Sequence, residues 1–275
     1  MLKGNPGTGK STAARLLGRI YREIGWLPTG KVNEVQSSDL LSQNVNGTAD
    51  KTRKEVQKAI GGVLFVDEAY KLYREDGQNH TGREAIEEIM KCMDQYQGQF
   101  AVVLAGYPEE MDTLLSANQG LQRRFSKQYV LEDYTAHELE QIFNLMLKKR
   151  HIRLSEKFQE KLPVFFENFY NTWGNDEQKE IWGNVGEVEN LIEELLKNHA
   201  DRQGEIITEG DEHYRLISTE HLPAHLLQLV NPVSRDAVWE QLNELVGLHG
   251  VKDKLKRIKA TVRLQKKRVR RPFYF

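Results

Sequence analysis

The sequence predicts an α/β domain, in which a parallel sheet is flanked by helices, followed by an all-helical domain. Two observations predict this arrangement. From residue 1 to about 131, short apolar runs alternate with amphipathic stretches, which is typical of parallel strands joined by helices. Beyond Tyr134 the strand-like runs end, and apolar residues recur at helical spacing instead. A chain of 275 residues is long enough to bury a core in each of two domains.

The clearest strands of the first domain are the segments "GVLFVDEA" and "QFAVVLAGY". Both are rich in Val, Leu and Phe without polar alternation, as expected for strands that are buried on both faces of a sheet. The segment between them, "TGREAIEEIMKCMDQY", begins with Thr81 and Glu84 at the spacing of a capping box and continues with apolar residues at helical spacing. We expect it to form the crossover helix between the two strands.

Helical periodicity dominates the second part of the chain, in "TAHELEQIFNLMLKKR", "LSEKFQEKLPVFFENFY" and "GEVENLIEELLKNHADRQ". The first of these segments has its own capping-box pair, Thr135 and Glu138. After them, "LVNPVSRDA" has the composition of a linker, and a strongly basic helical region follows it. We therefore expect an α/β domain at residues 1–131, a helical domain at 132–230, and a linker with a basic helix at 231–275.

The composition is that of an ordinary soluble globular protein, with 29% charged residues and a formal charge of −1 that points to no particular partner. The single cysteine, Cys92, excludes an internal disulfide, and the chain does not begin like a secretory signal peptide. No uninterrupted apolar run approaches the roughly 20 residues that are needed to span a bilayer. We expect a cytoplasmic protein without a membrane-spanning segment.

The chain begins with the glycine-rich segment "MLKGNPGTGKST", which contains the pattern G-x-x-x-x-G-K-[ST]. Glycines in this pattern let backbone N–H groups turn toward phosphate oxygens, and the helix that begins near Lys10 adds its dipole. Lys10 also supplies positive charge, and the hydroxyl of Ser11 is a ligand for Mg²⁺. The residues that we expect to contact the phosphates are Gly4, Asn5, Pro6, Gly7, Thr8, Gly9, Lys10, Ser11 and Thr12.

Two adjacent acids, Asp67 and Glu68, end the buried strand in "VLFVDEA". Asp67 lies at the carboxyl end of this strand, where it is placed to hold Mg²⁺ together with Ser11. Glu68 is placed to orient or deprotonate an attacking water molecule. The glycine-rich loop and this acidic pair, found in one chain, are a stronger indication of a nucleotide site than either of them alone.

Four segments of the sequence, in this order, resemble the AAA+ ATPases of the CbxX/CfqX family: "KGNPGTGKST", "GTADKTRKEVQKAIGGVLFVDEAY", "VVLAGYPEEM" and "GLQRRF". The resemblance covers residues 1 to about 200. It implies a P-loop NTPase fold of the AAA+ type with a helical lid, and ATP and Mg²⁺ as cofactors. It also implies a ring of AAA+ modules, usually a hexamer, that remodels a protein client by pulling it through a central pore.

The resemblance assigns catalytic roles to Lys10, Glu68 and Arg124. Arg124, with Arg123 beside it, falls on the family's arginine finger, which reaches into the neighbouring subunit and neutralises charge on the γ-phosphate. Asp67 falls on the second nucleotide motif of the family. Tyr107 ends the strand that carries the γ-phosphate sensor, although a tyrosine at a strand end is as easily a core residue with an exposed hydroxyl.

The sequence departs from the family pattern at two sites. Asn44 and Asn46 stand where the pore loop usually has an aromatic residue and a glycine, which puts threading of the client in doubt. Gly186 and Glu189, in "GNVGEVEN", occupy the places of both arginines of the lid's nucleotide sensor, and Glu189 has the wrong charge for a phosphate contact. These departures predict weakened activity and favour an alternative function, a degenerate ATP-responsive scaffold with little turnover.

The basic segment "LNELVGLHGVKDKLKRIKATVRLQKKRVRR" resembles the part of the family that precedes the phosphate loop and forms the adenine pocket. We therefore expect either a fragment of a tandem protein or a tail that folds back to supply this pocket, with only a short strand to support the loop. A nucleic-acid motor is a third alternative, because the tail is dense in Lys and Arg. It is disfavoured, because Leu255, Ile258 and Val262 are spaced like the buried side of a helix whose charged side is solvated.

Overall fold

The computed structural model describes residues 1–42, 44, 47–73, 80–173, 183–203 and 216–230, and four isolated positions, 250, 252, 254 and 257. The chain divides into two compact units, Met1–Pro223 and Ala224–Phe275.

The first unit is built on the expected parallel sheet, which has five strands in the order β2-β3-β4-β1-β5. Both strands that are clearest in the sequence, β3 and β4, lie inside this sheet, and all the pairings between its neighbouring strands are parallel. The strands are β1 (Leu2–Gly4), β2 (Val32–Gln36), β3 (Val63–Asp67), β4 (Ala101–Gly106) and β5 (Tyr129–Leu131).

Helices cover both faces of the sheet, as the uninterrupted apolar character of β3 predicts. Leu64 and Val66 pack into one apolar cluster, while Val63 and Phe65 pack into a second cluster on the opposite face, with Ala14. The helices of this part are α1 (Lys10–Glu23), α2 (Ser37–Leu40), α3 (Gly47–Ala59), α4 (His80–Gln95), α5 (Pro108–Ser116) and α6 (Gln119–Arg124), and a 3₁₀ turn spans Ala69–Leu72.

The crossover helix between β3 and β4 is α4, but the predicted capping box at its start is wrong. The helix already begins at His80, so Thr81 lies within its first turn. The carboxylate of Glu84 instead accepts a hydrogen bond from the backbone N–H of Ala49, at 3.1 Å, and so ties α4 to α3. The Glu84 side chain therefore makes a hydrogen bond to another helix, whereas the local pattern predicted that it would cap the start of its own helix.

The second part of the first unit contains the helices α7 (Ala136–Lys149), α8 (Glu156–Trp173) and α9 (Val185–Gln203). The predicted capping box at the start of α7 is confirmed, because Thr135 and Glu138 exchange hydrogen bonds in both directions. A pair of two-residue parallel strands, β6 (Arg153–Leu154) and β7 (Leu216–Ile217), accompanies the helices and was not predicted. The core of this lid is aromatic and contains Phe143, Phe158, Phe165, Phe166 and Phe169.

Of the helices in the described residues, none combines the length and the apolar character needed to cross a membrane. In the second unit the described structure is a short helix, α10 (Leu227–Val230). Apart from the four isolated positions, the basic helix expected at 231–275 lies outside the described residues. The domain boundaries that we inferred from the sequence remain predictions.

The strand that leads into the glycine-rich loop, β1, is short but lies in the interior of the sheet. Leu2 and Lys3 pair with β4 on one side, and the same two residues and Gly4 pair with β5 on the other. The ammonium of Lys3, which is buried, contacts the carboxylate of Asp112 and donates to the side-chain oxygen of Gln128 at 2.6 Å. The loop is therefore better supported than the shortness of the strand led us to expect.

The glycine-rich loop packs directly against the turn that precedes α9. Gly7 has a φ of +68°, and a Cβ atom placed on it would lie 2.1 Å from the carbonyl oxygen of Gly183 and 3.0 Å from the backbone nitrogen of Val185. Both the backbone conformation and the lack of space therefore require glycine at this position.

We expect Gly7→Ala to lower the midpoint of thermal unfolding more than Gly25→Ala, as measured by circular dichroism. Gly25 has a similar φ of +75° but nothing within 4 Å of the added methyl group, so its substitution carries backbone strain alone, roughly 1–2 kcal/mol. Gly7→Ala adds the clash with Gly183 to a comparable strain. Equal destabilisation by the two substitutions would show that the close approach of loop and lid does not exist in solution.

A pair of histidines joins α9 to the 3₁₀ turn at Thr219–His221. Nδ1 of His199 and Nε2 of His221 are 3.1 Å apart, and Nδ1 of His221 accepts a hydrogen bond from the backbone N–H of Ser218 at 2.9 Å. Burial lowers the pKa of His221, and the nearby His199 and Arg202 lower it further, against an opposing effect of Glu220. The folded lid therefore favours the neutral form of this ring.

This lowered pKa makes the stability of the lid depend on pH. The unfolded chain binds a proton at His221 near pH 6.5, where the folded chain still resists protonation, so the free energy of unfolding falls as the pH drops below about 6.5. We expect His221→Gln to reduce the difference between thermal unfolding midpoints at pH 7.5 and pH 5.5. His137→Gln, at an exposed site on α7, is the control and should leave this difference unchanged.

Candidate functional site

The glycine-rich loop lies at the carboxyl edge of the sheet, because parallel strands all end at the same edge and ligand sites of such sheets form there. A cleft of about 810 Å³ opens at this edge. Its lining comes from the loop, from the ends of β3 and β4, and from the lid. Among the residues that line it are Lys10, Asp67, Glu68, Tyr107, Tyr134 and Glu189.

Most of the predicted phosphate contacts line this cleft, and two do not. Gly4 belongs to β1, and a Cβ atom there would lie 2.6 Å from the carbonyl oxygen of Leu131. The side-chain amide of Asn5 donates to both carboxylate oxygens of Asp133, at 3.0 Å each. These two residues therefore anchor the loop to Leu131 and Asp133 and do not line the cleft. The predicted contacts in the cleft lining are Pro6, Gly7, Thr8, Gly9, Lys10, Ser11 and Thr12.

At the amino-terminal end of α1, no side chain of the helix would compete with an anion for the free N–H groups. Gly9, with a φ of +88°, precedes the helix, no side chain caps it, and its first turn contains no acidic residue. A helix of 14 residues carries a partial positive charge at this end and has N–H groups there without helical acceptors. This helix end is therefore suited to bind phosphate.

Lys10 folds back over the loop that precedes it. Its ammonium donates to the carbonyl oxygens of Gly4, at 2.9 Å, and Asn5, at 2.8 Å, and lies 5.9 Å from the centre of the Tyr107 ring. Burial lowers the pKa of Lys10, while the carboxylates of Asp67, Asp133 and Glu68 act in the opposite direction. The negative charges of the strand end are thus close enough to Lys10 to act on it electrostatically.

Glu68 has an unusual backbone conformation at the end of β3. Its φ of +49° is left-handed, which costs a non-glycine residue about 1–3 kcal/mol. The hydroxyl of Ser37, which is buried, donates to the carbonyl oxygen of Glu68 at 2.7 Å and so holds this turn. No sequence pattern signals this role of Ser37, because the residue lies at the start of α2, far from Glu68 along the chain.

The two acids at the end of β3 have different partners. Asp67 accepts a hydrogen bond from the backbone N–H of Glu68, at 3.0 Å. The carboxylate of Glu68 pairs with Lys71, at 2.5 Å, and accepts from the hydroxyl of Tyr70 at 3.3 Å. Burial, and then the charge of Glu68, raise the pKa of Tyr70, so the phenol keeps its proton and acts as a donor. The Glu68 side chain is thereby held in one orientation beside the cleft.

The lid contributes Val185, Gly186 and Glu189 to the cleft lining. Glu189 thus stands beside the loop, and its carboxylate is exposed. Both residues that replace the sensor arginines, Gly186 and Glu189, therefore lie at the cleft. Of the two residues that depart from the family pattern in the pore loop, Asn44 is exposed and Asn46 lies outside the described residues.

Arg124 lies away from the cleft of its own chain. Its guanidinium pairs with the carboxylate of Asp94 on α4, with contacts of 2.5 Å and 3.3 Å. Neither Arg124 nor its neighbour Arg123, which is also exposed, is among the residues that line the cleft. Any action of Arg124 on a bound nucleotide would therefore have to be on that of another subunit.

The residues of the cleft fit a nucleotide phosphate chain and its divalent cation. Ser11 and Asp67 present hydroxyl and carboxylate oxygens, the ligand type that Mg²⁺ prefers. Within the described ranges, no cluster of three or more His, Cys, Asp or Glu residues could hold a metal by itself. Mg²⁺ usually takes one or two protein ligands and completes its shell with water and phosphate oxygens, so Ser11 and Asp67 are of the right number and type to hold it.

The chain matches two family models in succession. Residues 1–133 match the ATPase family associated with various cellular activities (AAA), and residues 135–228 match the AAA lid domain. Two solved structures of the FIGL-1 AAA domain share the fold. The first has a TM-score of 0.54 and 18% identity and covers 90% of this chain and 78% of its own. The second, a complex with ADP, has a TM-score of 0.52 and 16% identity, and the match covers 94% of this chain and 77% of the FIGL-1 chain.

Curated relatives are similar in sequence as well. Stage V sporulation protein K of Bacillus subtilis (strain 168) is 39% identical over 202 residues, and the Protein CfxQ homolog of Trieres chinensis is 33% identical over 212 residues. The aligned regions cover 74% and 76% of this chain. The ribulose bisphosphate carboxylase/oxygenase activase of Cyanidioschyzon merolae is 38% identical over 152 residues, or 55% of this chain and 52% of its own length.

The chain spans 61% of the length of Stage V sporulation protein K and 70% of that of the Trieres chinensis homologue. The resemblance found in the sequence motifs is confirmed by these matches. With an AAA domain, an AAA lid and relatives of this similarity, the chain belongs to the CbxX/CfqX family of AAA+ ATPases.

Proposed function

We propose that this chain binds and hydrolyses ATP within a ring of AAA+ modules and uses the reaction to remodel a protein client. The observation that carries the proposal is the cleft that residues 6–12 of the phosphate loop line together with Asp67 and Glu68. Membership of the AAA+ ATPases supports hydrolysis. One relative is named as an activase of another enzyme, which supports a protein as the client.

In this proposal each polar residue of the cleft has a distinct role. Lys10, on whose ammonium both acids act electrostatically, binds and neutralises phosphate oxygens. Glu68 orients and activates the attacking water, since its carboxylate lies at the cleft on a turn held by Ser37. Ser11 and Asp67 would hold Mg²⁺, which when bound supplies positive charge to the phosphate chain.

The position of Arg124 supports the proposed ring. An arginine finger is effective only beside the γ-phosphate, and Arg124 does not line the cleft of its own chain. Its ion pair with Asp94 holds the guanidinium at the surface, from which a neighbouring subunit is the available target. A ring of six such modules is the assembly that the family resemblance implies.

A degenerate ATP-responsive scaffold is the second candidate function. The observation in its favour is Glu189, a carboxylate that lines the cleft where the family places a cation. Repulsion between this carboxylate and bound phosphates would weaken the coupling of nucleotide to lid. The scaffold would bind ATP and partners but turn over little ATP.

The substitution Glu68→Gln separates these two functions. We expect it to lower the steady-state rate of ATP hydrolysis at least about a hundredfold, because the amide cannot accept the proton of the attacking water. ATP binding, measured by titration calorimetry, should remain. Glu110→Gln, an exposed acid on α5, is the matched control and should hydrolyse ATP at the wild-type rate. Binding of ATP by the wild type without measurable turnover would favour the scaffold instead.

Mixing two inactive variants tests the action of Arg124 on a neighbouring subunit. Lys10→Ala should lose ATP binding, and Arg124→Ala should lose hydrolysis. In an equimolar mixed ring, some interfaces combine an intact phosphate loop with an intact arginine, so roughly a quarter of the wild-type rate should return. The measurement is ATP turnover against the mixing ratio.

Arg123→Ala is the control in the mixing experiment, because it removes the neighbouring arginine and should retain activity alone. If Arg123→Ala is inactive and Arg124→Ala is active, the roles of the two arginines are reversed. If both arginine variants are active, neither residue acts as an arginine finger.

A further inference from the structure

The lid and the segment before it, Asp133 and Tyr134, which we call the hinge, hold three successive carbonyl groups of the phosphate loop. The side-chain amide of Asn184 donates to the carbonyl oxygen of Pro6 at 3.1 Å. The backbone N–H of Val185 donates to that of Gly7 at 3.4 Å, and the hydroxyl of Tyr134 donates to that of Thr8 at 3.4 Å. All three hydrogen-bond donors therefore come from residues outside the loop.

These contacts determine which way the peptide groups of the loop face. In a planar trans peptide the C=O and the N–H point in opposite directions. Because the carbonyls of residues 6–8 point to the hinge and lid, the N–H groups of residues 7–9 are turned away from them. Left-handed conformations at Gly7 and Gly9, with φ of +68° and +88°, belong to the kind of turn that gathers successive N–H groups around an anion.

The side chain of Asn184 connects the phosphate loop to Asp133 and Tyr134. Its side chain is fully buried and uses all of its principal hydrogen-bonding groups. The amide nitrogen donates to Pro6 and, at 2.8 Å, to the carboxylate of Asp133, and the amide oxygen accepts from the backbone N–H of Tyr134 at 3.0 Å. Asp133 in turn accepts from Asn5. One lid residue thus contacts both the phosphate loop and the hinge.

The backbone of Asn184 agrees with a specialised role. Its φ of +47° is left-handed, a conformation that asparagine adopts more readily than most other residues. The side chain of aspartate would have a similar shape but could not donate to Pro6, and its charge would face Asp133. Glycine would keep the backbone conformation and remove all three side-chain contacts.

We propose that Asn184 is a positioning residue for the nucleotide: it couples the lid to the phosphate loop by orienting the Pro6–Gly7 peptide. The inference rests on the proposed function and adds to it a route between lid and nucleotide that uses no arginine. Gly186 and Glu189, which replace the sensor arginines, leave the lid without a cation at these two positions. The hydrogen bonds of Asn184 supply a different connection, made to the loop and not to the ligand.

The test is the affinity of the protein for Mg²⁺-ATP in Asn184→Asp and Asn184→Gly. We expect both variants to raise the KM of ATP hydrolysis and the Kd of ATP about tenfold, while kcat at saturation stays within about twofold of the wild type. Asn198→Asp is the matched control, because the same amide lies elsewhere in the lid and donates to the backbone of His221 at 3.0 Å. It should leave KM unchanged.

A double variant distinguishes positioning of the loop from simple attachment of the lid. In Asp133→Asn combined with Asn184→Asp, the two side chains can again form a hydrogen bond, with donor and acceptor exchanged. Thermal stability should then recover toward the wild type, while KM stays raised, because Pro6 still lacks its donor. Recovery of both quantities would overturn the inference and leave Asn184 as an anchor for the lid.

The outcomes also separate the inference from the proposed function. Wild-type affinity for ATP in both Asn184 variants, with an active wild type, overturns the inference alone. Failure of the wild-type chain to bind ATP overturns the proposed function itself. If Asn184→Asp does not fold, Asn184→Gly carries the test, with folding verified by circular dichroism.

Discussion

The pairing of β1 with strands on both of its sides is the constraint on which the site depends. Leu2–Gly4 fixes where the phosphate loop leaves the sheet, and β3 fixes where Asp67 leaves it. Because these strands are parallel members of one sheet, their carboxyl ends lie at a common edge. The sheet alone therefore brings the phosphate loop and Asp67 to the same side of the domain. The buried side chain of Lys3, paired with Asp112 and Gln128, adds a polar attachment beneath the loop.

Much of the fold could be predicted from the sequence because its signals are local. Apolar runs without alternation identify β3 and β4, and helical spacing identifies α4, α7, α8 and α9. The glycine pattern and the acidic strand end also located the two halves of the cleft. The capping boxes show the limit of such reasoning: that of Thr135 forms, whereas Glu84 binds Ala49 on another helix. A local pattern holds only while no tertiary partner competes for the same side chain.

The parts of the site that the sequence did not predict are those held by distant residues. Ser37 contacts Glu68 across 31 positions of the chain, and Asn184 contacts Pro6 across 178. Serine is common in turns, so nothing near Ser37 marks it as a support of the site. Asn184 lies in "GNVGEVEN", the segment that aligns with the lid's nucleotide sensor, but the pattern directs attention to the arginine positions and not to this side chain. Likewise, the ion pair of Arg124 with Asp94 follows from the packing of α6 near α4, which no spacing rule specifies.

The meeting of Gly7 with Gly183 has a mechanical consequence. Backbone touches backbone there, so no flexible side chain lies between them to absorb a displacement of the lid. Close-packed contacts transmit strain, and coupling between two sites is reciprocal. A pulling force applied to the lid would therefore change how tightly the nucleotide is held, and tighter holding would resist that force. The contact between Gly7 and Gly183 is thus one of the places at which a load on the lid would be coupled to the affinity for phosphate.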